Sequence, residues 1–391
     1  MSRASEVDSA LHVLTLTPFF PSDQNEVSGC FIAEPIAQLK PFGVESSVIA
    51  VSPIHYLRKR VSPLAAAEWV RYPQIPGNFG LSSAGKLLFA RLLGRVRKLH
   101  GVKPIDVIHA HGALPCGHAS ALLSRHLGIP FVVTVHGLDV FNTCSHGGTP
   151  AKWRRQESVA VYHAARIVIC ISEKVQQILR DGMRVDVRST VVYNGTDAEL
   201  FSPGPVAVVP SGKEILIVGN LIASKGQELA LSAIGRMGTL FPHLRCQIIG
   251  EGPDLARLEV LASKLGLGER VRFLGRQSRA AVADAMRACS VFVLPSRNEG
   301  LGCVYLEAMA CGKPVIACRG QGIDEIIEHG RNGWLIPVDG LDELVQGLST
   351  LLQSTDVSSR MGTSARATIL NGLNLLDQAQ RLANIYRQAI A

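Results

Sequence analysis

Residues 291–318 read VFVLPSRNEGLGCVYLEAMACGKPVIAC. The apolar run Val291–Leu294 predicts a buried strand that passes into a loop at Pro295 and Gly300. A helix is expected from about Gly302 to Ala310. Gly312 caps it, Pro314 prevents its continuation, and the next apolar run opens another strand. The same alternation extends in both directions. HVLTL, SSVIAV, VIHA, FVVTVH, IVICIS and STVVY come earlier in the chain, and ILIVG, CQIIG and VRFLG lie after residue 212. Short runs rich in Val and Ile, separated by helix-like stretches, predict parallel strands joined by helices. The expected fold is therefore α/β, with two doubly wound Rossmann-like domains.

The length of 391 residues also calls for two domains. FSPGPVAVVPSGKE, residues 201–214, has Pro203, Pro205, Pro210, Gly204 and Gly212, which break helix and sheet alike. The expected division is an N-terminal domain over 1–200, a linker over 201–214, a C-terminal domain over 215–370 and a helix within 371–391. That helix, LLDQAQRLANIYRQAIA, is amphipathic and is expected to pack back toward the N-terminal domain.

A hydrophobic content of 47% with 18% charged residues fits a folded chain and excludes disordered, collagen-like and coiled-coil classes. No apolar stretch reaches the ~20 residues that span a bilayer, and the opening MSRASEVDSALHVLTLTPFF has no convincing export signal. The nine cysteines are scattered without a CxxC pair, which suggests reduced thiols and a cytoplasmic protein. The net charge of +8 resides in residues 1–190, where 21 Lys and Arg face 13 Asp and Glu. Such an excess attracts nucleic acid, anionic lipid or an anionic substrate. No nucleic-acid-binding motif accompanies it, so no nucleic-acid partner is expected. GKLLFARLLGRVRKLHG, residues 85–101, places Leu88, Leu92, Val96 and Leu99 at helical spacing among Lys86, Arg91, Arg95, Arg97 and Lys98. It reads equally as an anionic-membrane helix at the inner face of the membrane and as a helix docked on its own sheet.

The loop-to-helix junction near Gly302 lies at the carboxyl end of a parallel strand, where open α/β sheets bind ligands. Free amides and the positive helix end suit a diphosphate. Glu299 and Glu307 bracket this junction. Carboxylates repel phosphate, so paired sugar hydroxyls are their natural partners. The bland alternative makes Glu299 a dipole complement and Glu307 a solvated helix residue. Lys225, after the strand in ILIVGNLIASKG, can neutralise phosphate. Gly29, in the loop after the first strand, would let a phosphate approach backbone amides. His136 directly follows the strand Phe131–Val135 and is placed for binding or proton chemistry.

Together these segments resemble the retaining, nucleotide-sugar-dependent glycosyltransferases of family 4, with the GT-B fold of two domains facing a central cleft. TVHGLDVF, VVYNGTDAELF, VGNLIASKG, IIGEGPDLARLE, VRFLG and EGLGCVYLEAMACGKPV match in order, from about residue 11 to residue 340. TPFFPSDQNEVSGCF is similar to the branch that includes teichuronic acid and exopolysaccharide biosynthesis enzymes. The resemblance implies that Glu299 binds donor-sugar hydroxyls and Glu307 the ribose hydroxyls. Lys225 and the amides near Leu301 and Gly302 would hold the diphosphate, His136 would contact the donor sugar, and Gly29 would approach the phosphates. It implies no cofactor and no metal, and no Asp-x-Asp pair occurs in the chain. It further implies a lipid-linked or polysaccharide acceptor. Asn220, counted among the donor-binding positions, stands where the family commonly has Arg, which removes one expected cation.

Other readings are weaker. GLSSAGKL, residues 80–87, lacks the Ser or Thr of a phosphate-binding P-loop. His109-x-His111 with His136 suggests a metallohydrolase but has no acidic ligand set. Within the same architecture, a nucleotide-sugar 2-epimerase and a non-catalytic sugar-binding partner of another transferase remain alternatives.

Overall fold

The computed structural model describes residues 10–22, 25–55, 67–75, 80–137, 139–141, 149–204, 213–238 and 240–391. The chain divides into two units, Met1–Tyr193 with Leu376–Ala391, and Asn194–Leu375. Both are doubly wound parallel α/β units of the Rossmann-like type.

The first unit contains β1 (Leu11–Thr17), α1 (Cys30–Ala37), β2 (Val44–Pro53), β3 (Ala67–Tyr72), α2 (Leu81–Val102), β4 (Val107–His111), α3 (His118–Leu127), β5 (Phe131–Val135), α4 (Thr149–Ala164), β6 (Ile167–Cys170), α5 (Glu173–Gln177) and β7 (Ser189–Val191). Its sheet runs β3-β2-β1-β4-β5-β6-β7, with parallel pairing throughout. β4, β5 and β6 are buried along their whole length, as unbroken apolar runs covered on both faces must be.

The second unit contains β8 (Glu214–Val218), α6 (Gln227–Arg236), β9 (Arg245–Ile249), α7 (Leu255–Lys264), β10 (Val271–Phe273), α8 (Arg279–Ala288), β11 (Val291–Val293), α9 (Cys303–Ala310), β12 (Val315–Cys318), β13 (Trp334–Ile336), α10 (Leu341–Gln353) and α11 (Thr355–Leu370). The strand order is β10-β9-β8-β11-β12-β13, again parallel. α9 stops as its sequence predicts. Gly312 has φ 70°, its N–H donates to the Met309 carbonyl, and the Lys313 N–H donates to the Ala308 carbonyl.

The last helix, α12 (Leu375–Ile390), is part of the first unit's core. Ala379, Leu382, Ala383, Ile385 and Tyr386 pack with Val13, Val107 and Val132. Of the expected linker, residues 205–212 lie outside the described residues, while Phe201 is fully buried and belongs to the second unit. α2 resolves the two readings of its apolar stripe: Leu88, Leu92 and Val96 are completely buried in their own unit, while Lys86, Arg91, Arg95, Arg97 and Lys98 face outward. Among the described residues no helix is long and apolar enough to cross a membrane.

Candidate active site

The order of each sheet reverses between two neighbouring strands, β1 and β4 in the first unit and β8 and β11 in the second. Loops leaving the carboxyl ends of such a pair diverge and leave a ligand crevice. In the second unit these loops carry Lys225 and Glu299.

Lys225 ends a short 3₁₀ turn, Ala223–Lys225, before α6. Gly226 follows with φ 72°, and a Cβ there would stand 2.0 Å from the Pro295 carbonyl oxygen. Only glycine lets the two loops approach this closely. Lys225 Nζ meets Glu299 Oε2 at 2.5 Å, with the side chains 20% and 12% exposed. Ser296 Oγ donates to the same oxygen at 3.4 Å. The Glu299 backbone is held at both polar atoms, its N–H donating to Gln321 Oε1 (3.0 Å) and its carbonyl accepting from the Gly322 N–H (3.1 Å). Arg297 ties the loops together, donating to the Ala223 carbonyl and pairing with Asp339, each at 2.7 Å. The Asn220 side chain is exposed just beyond β8.

Leu301 is buried and Gly302, with φ 85°, leads into α9. Glu307 lies on the buried part of α9 with 6% exposure, so it is not a solvated helix residue. Its Oε1 accepts from Arg279 Nη1 at 2.9 Å. Burial pushes the Glu307 carboxyl above its ordinary range, and the Arg279 guanidinium pulls it back. Sequence reasoning missed Arg279. The available signal is a cation in the first turn of α8, where the helix dipole disfavours one.

In the first unit His136 follows β5. Its Nε2 lies 3.0 Å from His111 Nδ1, and the two rings stack with centroids 5.2 Å apart. The ring of Phe31 meets His136 edge-on at 5.1 Å. His109 is bound by Tyr386 Oη at 2.8 Å and by Thr134 Oγ1 at 2.7 Å. Burial pushes His136 down to about 4 and His109 to about 3, and lowers His111 as well. The rings are therefore neutral near pH 7, and within the His111–His136 contact one ring donates and the other accepts. Asp139 is raised by burial to about 6, against the pull of backbone N–H groups. The three histidines do converge, but both nitrogens of His109 are taken by Tyr386 and Thr134, and His111 Nδ1 and His136 Nε2 meet each other, while His111 Nε2 and His136 Nδ1 are buried without a hydrogen-bond partner among the described residues. Among the described residues no three His, Cys, Asp or Glu side chains are grouped to hold a metal ion. Gly29 starts α1 with φ 80°, and a Cβ there would stand 2.5 Å from the Phe19 carbonyl carbon. The fold of its own loop thus already requires a glycine.

The β8/β11 switch point, with a cation, carboxylates and a helix N-terminus beside it, has the makings of a ligand-binding crevice of an open α/β sheet. Residues 205–368 match the family model for glycosyl transferases group 1, and residues 32–200 that for glycosyltransferase family 4. A glycosyltransferase of Methanocaldococcus jannaschii is 33% identical over 263 residues, covering 67% of this chain and 70% of that protein. The D-inositol 3-phosphate glycosyltransferase of Mycobacterium marinum is 29% identical over 282 residues, covering 68% of this chain and 59% of its own length. The solved structure of HepE from Anabaena in complex with UDP-glucose has a TM-score of 0.73 at 21% identity, covering 96% of this chain and 99% of that one. The chain belongs to the family 4 glycosyltransferases and has the GT-B type of fold.

Proposed function

We propose that the protein moves a sugar from a nucleoside-diphosphate donor to a lipid-linked or polysaccharide acceptor, with retention of configuration and without a metal. The observation that carries this reading is the Lys225–Glu299 pair at the β8/β11 switch point, with Glu307 further along the same segment. Cation and carboxylate neutralise each other only until a donor enters. Lys225 then turns to the diphosphate, with the amides of Leu301 and Gly302 and the positive end of α9 beside it. Glu299 is left to accept hydrogen bonds from the sugar hydroxyls, and Glu307 from the ribose. The contact of His136 with the sugar rests on the family resemblance alone. The sugar passes to an acceptor hydroxyl, and nucleoside diphosphate and a proton are released. The complex of HepE with UDP-glucose supports a nucleotide sugar as the donor class. Retention rests on the family resemblance.

A second acceptor class has an observation in its favour. The inositol-phosphate glycosyltransferase relative and the basic first half both suit a small phosphorylated acceptor. Incubation with a panel of nucleotide sugars, with EDTA present, tests the donor. Mass spectrometry should show release of one nucleoside diphosphate, faster with the right acceptor, and NMR should show an unchanged anomeric configuration. Activity restored only by a divalent ion, or an inverted linkage, would overturn the reading.

A further inference from the structure

VVYNGTDAELF, residues 191–201, ends on Phe201, whose ring lies 5.0 Å from the Arg279 guanidinium carbon. Phe201 is fully buried. Arg279 opens α8 and donates to Glu307 Oε1, the two side chains 13% and 8% exposed. A guanidinium stacked on a ring and aimed at a buried carboxylate is oriented from two sides. We propose that Arg279, seated on Phe201, is a positioning residue for Glu307, fixing one carboxylate oxygen so that the ionised group presents its remaining lone pairs to the ribose hydroxyls of the donor. This rests on the reading of Glu307 as the ribose ligand.

The electrostatics agree with the geometry. The groups that act on Glu307, or on which it acts, are Arg279 from α8, Cys303 in the first turn of α9 and Cys311 just after its end. Burial holds both thiols near 12, so neither is charged near neutral pH. Arg366 of α11 is directed to the carbonyls of Ala310 and Phe201. Arg279 is thus the charge that opposes burial at Glu307. Without it, the carboxyl rises further toward neutral pH, and a protonated Glu307 loses acceptor capacity.

Calorimetric titration with UDP, ADP and GDP identifies the tightest ribonucleotide, which is then compared with its 2′,3′-dideoxy analogue. Wild type should prefer the ribonucleotide, and Glu307→Ala should abolish that preference. Arg279→Met should weaken ribonucleotide binding by about tenfold and leave the dideoxy analogue unaffected. The loss of ribonucleotide relative to dideoxy binding should deepen as pH falls from about 8 to about 6, more steeply than any change in wild type. Arg279→Lys should recover most of the affinity at each pH, because the charge returns without the fork. If Arg279→Met also loses the dideoxy nucleotide, Arg279→Gln, which keeps a donor but no charge, carries the same comparison. Wild-type ribonucleotide affinity at every pH in these variants, with Glu307→Ala impaired, would overturn the role of Arg279 alone. An unimpaired Glu307→Ala would overturn the ribose reading, and Arg279 with it.

Discussion

Lys225 and Glu299 hold each other in the free protein, and this predicts an asymmetry between their variants. Lys225→Ala removes a cation from the leaving diphosphate, and turnover should fall by about 10²–10³, the cost of deleting one donor at a site of developing charge. Arg297 is a poor replacement, because Asp339 and the Ala223 carbonyl already occupy its guanidinium. Lys225→Arg should restore part of the rate. Glu299→Ala should behave differently. It frees Lys225, so nucleoside-diphosphate affinity should equal or exceed that of wild type while turnover falls. Steady-state kinetics with nucleotide titrations check both variants. A shared loss of nucleotide affinity would contradict the assignment of Glu299 to the sugar.

At the level of elements, β4, β5 and α12 meet around three neutral histidines, and their titration gives stability a pH dependence. An unfolded histidine takes up a proton near 6.5, whereas His136 and His109 resist until about 4 and about 3. The unfolded chain therefore binds more protons between pH 6.5 and about 4, and stability falls as pH drops through that window. Asp139 acts in the opposite direction. Its folded value of about 6 exceeds the ordinary 3.8, so acidification from about 6 favours the native state. Two or more histidines outweigh one aspartate. The melting temperature should fall between pH 6.5 and 4.5, and His136→Asn should flatten the slope. A midpoint that rises on acidification would refute this. The strands were readable in sequence because burial on both faces writes unbroken apolar runs, as in FVVTV and IVICIS. Glu299, Glu307 and Lys225 were readable because each sits near a strand–loop–helix junction that turn residues mark. Arg279 was not, because only the packing of α8 against α9 brings it to Glu307. The stripe on α2 was ambiguous for a physical reason: a helix that docks on its own sheet and one that lies on a lipid surface need the same spacing.

For the whole molecule, charge is divided as unevenly as the chemistry. The basic excess lies in the first half, and α2 displays five cations outward while its apolar stripe is buried. Attachment to an anionic membrane would then be electrostatic, without insertion of Leu88, Leu92 or Val96. Flotation with phosphatidylserine vesicles should show binding at low salt that disappears at about 1 M, where the Debye length shrinks to about 3 Å. Neutralising Lys86, Arg91 and Lys98 together should abolish it, and binding that survives high salt would mean that an apolar surface is engaged.

The placement of α12 bears on how the chain is made. A ribosome delivers the strands of the first unit early, but Leu382 and Tyr386, which seal Val13 and Val107, are translated only after the entire second unit. During synthesis that side of the nascent sheet has no permanent cover, a state in which exposed apolar surface invites aggregation or chaperone capture. The second unit, contiguous in sequence, faces no such wait and can complete its core as it emerges.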